Sequence, residues 1–162
     1  MKRIALLSLA LMLSALAHAH AKPDGKEVKE VIDFFYNGQK EGVVLAEMKL
    51  CEDVYTKGAE KNECMVELSA NALKEGDAAT VWMMFMVPND VKPQTIMLQL
   101  NHGEMTMSVE RAEIKSAVRY RTWRQIKLDR PGEWKLKVFH DKGDTVELMK
   151  ELTFKVAKSE TQ

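Results

Sequence analysis

The sequence predicts an all-β, antiparallel sandwich of about seven to eight strands preceded by a short amphipathic helix. Three observations predict it. Short apolar or alternating runs recur at fairly even intervals, clusters of Gly, Pro, Asn and Asp separate them, and no strand–helix–strand rhythm intervenes. The runs are Val43 to Cys51, Cys64 to Leu68, Thr80 to Val87, Thr95 to Asn101, Met105 to Glu110, Val118 to Leu128, Glu133 to His140 and Thr145 to Val156.

Residues 1–21 have the form of a cleaved Sec-type signal peptide. MKR is followed by an apolar run from Ile4 to Leu16, too short to span a bilayer, and then by small residues, ALAHAHA. Cleavage after Ala17, Ala19 or Ala21 each satisfies the small-x-small rule, and Ala21 is the expected site. No Cys follows the run to suggest lipoprotein anchoring, and no other segment is apolar enough to span a membrane. The expected product is periplasmic.

The rest divides into a helix and linker (22–42), a β-sandwich domain (43–157) and a flexible tail (158–162). Asp24 to Glu27 has the form of a capping box. Val28, Val31, Ile32 and Phe35 share one face of the helix that follows, and Gly38 supplies its stop. That face is expected to pack on the sandwich, with docking on a partner as the alternative. Thr80 to Val87, TVWMMFMV, is apolar on both faces, as a central strand covered on both sides would be, and the helix is one candidate for its outer cover.

Of 24 basic and 24 acidic residues, Lys2 and Arg3 leave with the signal peptide, so 22 basic residues remain against 24 acidic. Such a chain has no global field for nucleic acid or an anionic membrane. Cys51 and Cys64, in an exported chain, read as a disulfide; a thiol pair for redox or metal work is the rival.

Val118 to His140 holds the candidate binding surface. Alternation places Arg119, Arg121, Trp123, Gln125 and Lys127 on one side of a strand. Past the Arg-Pro-Gly turn, where Gly132 accepts φ > 0, Trp134, Leu136 and Val138 share a core-like phase that His140 continues. Arg119, Arg121, Trp123 and Lys127 could offer donors and an aromatic plate to an envelope protein or a glycan. The competing reading packs Trp123 beneath a loop and pairs the arginines with Glu110 or Glu113.

Copper is the alternative ligand. His102, Met105 and Met107 form a His/Met cluster suited to Cu(I), and cleavage after Ala17 or Ala19 would expose His18 or His20 as an N-terminal ligand. If His102-Gly103 is the turn, however, Leu100 faces Met105 and Leu98 faces Met107, which puts both methionines on the apolar side. Hydrolase and phosphate-loop motifs are missing, so no enzyme is expected.

Arg119-Tyr-Arg-Thr-Trp123, Gly132-Glu-Trp134 and Leu152-Thr-Phe-Lys-Val156 together resemble the carboxy-terminal half of a bacterial exported β-sandwich family of unknown function. The resemblance implies an immunoglobulin-like sandwich. It implies no reaction, cofactor or ligand.

Overall fold

A computed structural model of the chain describes residues 25–35, 42–88 and 92–159. Residues 1–21, expected to be a signal peptide, Asp24 and Gly38, expected to cap and stop the helix, and the end of the tail lie outside the described residues, as does the side chain of Phe35. Among the described residues one helix, α1 (Gly25–Phe35), precedes eight strands: β1 (Val44–Cys51), β2 (Leu73–Lys74), β3 (Ala78–Val87), β4 (Gln94–His102), β5 (Met105–Ile114), β6 (Ala117–Lys127), β7 (Gly132–Asp141) and β8 (Val146–Ala157). Among the described residues no helix is long and apolar enough to cross a membrane.

The strands form a three-stranded sheet, β1-β3-β6, and a five-stranded sheet, β2-β8-β7-β4-β5. Every pairing is antiparallel except that of the short β2 with the end of β8. β3 and β6 pair in one sheet while β8, β7, β4 and β5 run side by side in the other. β1 lies at the edge of the first sheet and the short β2 at the edge of the second. β1-β3-β6 over β8-β7-β4 is the strand order of an immunoglobulin-like sandwich, with β2 and β5 as edge strands of the second sheet.

Alternation builds the core between the sheets. Val81, Met83, Phe85 and Val87 of β3 meet Ile96, Leu98 and Leu100 of β4 and Trp134, Leu136 and Val138 of β7, all buried. The same phase that buries these residues turns their neighbours outward, so each sheet has an outer face of its own.

Three expectations need correction. Cys64 to Leu68 is not a strand. The segment between β1 and β2 is an irregular loop touching β1 through isolated bridges, Cys51 with Glu67 and Val54 with Cys64, because the Cys51–Cys64 disulfide folds it back over the sheet it has just left. Leu73–Lys74 supplies the second strand instead.

Nor are Val28 and Ile32 of the α1 stripe buried as expected. Val28 and Ile32 are 41% and 44% exposed, Val31 is half-buried, and Phe34 is buried. The loop after β1, rather than the helix, lies over the outer side of β3: Cys51, Val54 and Cys64 pack with Trp82 and Met84.

The turn between β4 and β5 sits one residue later than expected. His102 pairs with Met105, leaving Gly103 (φ +55°) and Glu104 at the turn, and a bulge between Leu100 and Asn101 then pairs Leu100 with Ser108 and Leu98 with Glu110. Met105 is therefore 54% exposed, outside the core, while Met107, in the bulge, packs half-buried against it.

Candidate functional sites on the two outer sheet faces

On the three-stranded sheet, register aligns Lys49, Trp82 and Trp123 in one row across β1, β3 and β6, and Glu47, Met84 and Arg121 in the next. The disulfide-closed loop covers this face. Trp82 Nε1 donates to the carbonyl of Asn62 at 2.7 Å, with Asn62 in the left-handed region (φ 71°), and Lys49 Nζ stands 4.8 Å from the Trp82 ring centroid.

Glu63, beside Cys64, reaches the arginines of β6. Its Oε1 lies 2.8 Å from Arg121 Nη2 and 3.8 Å from Arg119 Nη2, at sites where all three side chains are about one-quarter to one-third exposed. The structure thus brings Arg119, Arg121 and Trp123 together on one face, as alternation predicts, and sets Trp123 half-buried against the Cys51–Trp82 cluster. The carboxylate that meets the two arginines comes from the loop rather than from Glu110 or Glu113. Glu110 instead pairs with Arg124, on the opposite side of β6, at 3.1 Å. Lys127 lies at the strand end and is exposed.

His102 closes the β4 end of the sandwich. Its Nε2 donates to the Pro131 carbonyl at 2.9 Å, and its ring packs on Trp134 with centroids 4.9 Å apart. Met105 is its strand-pair neighbour and Met107 is the bulged residue, so the three residues considered for copper are near one another in register while the histidine's Nε2 is engaged by the backbone. Among the described residues no group of three or more His, Cys, Asp or Glu side chains stands close enough to hold a metal.

His140 is a buried imidazole whose Nε2 hydrogen-bonds Gln94 Oε1 at 2.9 Å. Burial, reinforced by the nearby Lys142 ammonium, holds its pKa below the ordinary histidine value against the weaker opposing pull of Glu147 and Asp141. It borders an open groove of about 230 Å³ between the starts of β1 and β8, lined mainly by Val43, Leu45, Glu147, Leu148 and Met149.

The outer face of the five-stranded sheet is the surface that sequence reading missed. Register places Arg111, Met97, Phe139 and Leu148 in one row across β5, β4, β7 and β8, and Val109, Gln99, Lys137 and Glu151 in the row beside it. Leu148 and Val109 are 49% and 48% exposed, and Met97 and Phe139 are half-exposed between them. Arg111 pairs with Asp141 at 3.4 Å on one side of this apolar strip; on the other, Lys135 and Lys137 each stand 3.6 Å from Glu151. The signal was present as Met97, Phe139 and Leu148 falling out of phase with their strands' core residues. It could be assembled only once the pairing was known.

No protein-family model matches the chain, and no curated protein matches it. Among solved structures it is similar to the C-terminal domain of wzt, with 6% identity, 76% of this chain and 77% of that one covered, and a TM-score of 0.48. An immunoglobulin-like protein from Pseudomonas aeruginosa matches at 16% identity over 73% of this chain and 98% of its own, with a TM-score of 0.44. A CARDB domain from Pyrococcus furiosus, solved in complex with di-metal ions, matches at 11% identity over 72% and 91%, with a TM-score of 0.38. The fold assignment rests on strand order and register.

Proposed function

We propose that this chain is a non-catalytic binding or accessory module of the periplasm, and that its recognition surface is the outer face of the five-stranded sheet. One observation carries the reading. Of the two outer sheet faces, the first lies under a disulfide-closed loop, whereas the second carries a continuous strip of Val109, Met97, Phe139 and Leu148 between ion pairs. An apolar centre with a charged rim suits a protein partner better than a glycan, since burying it removes hydrocarbon from water while the rim sets orientation. The apolar amino-terminal run with its small-residue cleavage sites and the Cys51–Cys64 bridge support an oxidising, exported location.

Site-specific photo-crosslinking in intact envelopes tests this. A benzophenone side chain at 109 or 148 is expected to form adducts, and one at 127, at the end of the Arg119–Trp123 strand, is not. Adducts at 127 alone would move the site to the arginine face. Adducts at none of the three would overturn the binding reading.

A further inference from the structure

The same face is nearly complementary to itself. On one side of the row Met97–Phe139–Leu148 stand Glu113 and Asp141; on the other stand Lys137 and Lys135. The bridging partners do not cancel this polarity. Arg111 offsets one charge of the acidic end and Glu151 one charge of the basic end, so the two ends keep a net charge of opposite sign.

We propose that a second copy of this chain packs face to face on the outer surface of the five-stranded sheet, about a two-fold axis lying along Met97, Phe139 and Leu148. The proposal rests on the reading of this face as the binding surface and names its occupant. Such an axis brings Met97, Phe139 and Leu148 against their own counterparts, and sets Arg111, at the β5 end of the same row, opposite Arg111 with each guanidinium held by its own Asp141. It also carries Asp141 of one copy over Lys137 of the other, twice per dimer, as an isologous contact requires. Two sheet faces meeting this way use the geometry that already joins the sheets within the sandwich.

Size sets the strength. Four strands about 4.8 Å apart, each contributing some eight residues at about 3.4 Å, present a face on the order of 500 Å². Stable interfaces cover roughly 800 Å² on each partner, so the dimer sits at the weak, reversible end of the range. It forms and dissociates with concentration.

Sedimentation velocity on protein produced from the full chain through a secretory host reads this out. A monomer–dimer equilibrium is expected, with Leu148→Asp raising the dissociation constant by about tenfold or more, as the loss of a central anchor does. Lys137→Glu and Asp141→Lys are each expected to weaken the dimer by like-charge contact, and their equimolar mixture to restore it. Thermal melts check that each variant folds. Asp141 Oδ1 also accepts from the Gly143 N–H at 3.0 Å, so Asp141→Asn, which keeps that acceptor and removes the charge facing Lys137, replaces Asp141→Lys if the latter unfolds and is likewise expected to weaken the dimer.

A monomer at every concentration up to about 1 mM, or a dimer indifferent to these substitutions, would overturn self-association. If crosslinks at 148 then capture a different envelope component, the binding reading survives without it. If they capture nothing, both fall.

Discussion

Gly132 shows how one absent methyl group sets a local structure. Its φ of +127° is a conformation that L side chains rarely adopt, and a Cβ there would stand 2.9 Å from His102 Nε2, the atom that donates to Pro131. Gly132→Ala is therefore expected to cost about 1–3 kcal/mol, measured by urea unfolding. Part of that cost should vanish in a His102→Ala background, because the clash is with that ring; strict additivity would show that backbone strain alone is responsible. The glycine's need for positive φ was legible in the Arg-Pro-Gly turn. Its collision with a histidine distant in the chain was not, since that depends on which strand β7 pairs with.

His140 gives the second expectation at this scale. Its folded pKa lies below the unfolded value, so the unfolded chain binds the extra proton first as pH falls. Stability is then fully present above about pH 6.5 and declines as pH drops through the interval between that value and the depressed folded pKa. Melting temperatures taken from about pH 7.5 to 5 should fall more steeply in the wild type than in His140→Gln. Parallel curves would remove His140 as the cause. Its burial was readable from its phase with Trp134, Leu136 and Val138; its bond to Gln94 was not.

Among the elements, the loop between β1 and β2 departs furthest from expectation. Its span from Val54 through Leu68 contains strand-like residues, yet backbone bonds such as Glu52 N–H to Val66 O at 2.8 Å and Leu68 N–H to Leu50 O at 2.8 Å turn it back beside β1 rather than into a ladder. The disulfide, which bridges a sequence separation of 13, restricts it in the unfolded chain, and Glu63 and Asn62 tie it to Arg121 and Trp82. Replacing both cysteines with alanine is expected to cost on the order of 3 kcal/mol. It should also shift tryptophan emission to the red as Trp82 and Trp123 lose their cover. A fall in stability with unchanged emission would mean that the loop keeps its place without the bridge. The pairing of Cys51 with Cys64 could be read from the two cysteines of a chain expected to be exported. That their loop, and not α1, would cover the apolar outer side of β3 could not, because an apolar strand face announces that it is covered without saying by what.

At the scale of the whole molecule the same rule explains both what was visible and what was hidden. Alternation, turn residues and strand spacing are local properties, and they determined an all-β sandwich, the phase that buries Trp134 and the grouping of Arg119, Arg121 and Trp123 on one side of β6. Sheet order and register are not local. They depend on loop closure and on which apolar faces meet, so the one-residue displacement of the β4–β5 turn, the exposure of Met105 and the joining of Arg111, Met97, Phe139 and Leu148 into one row were decided by packing alone. A residue that points away from the core in one strand carries little meaning by itself. Four such residues become a surface only when hydrogen-bonded strands set them about 5 Å apart.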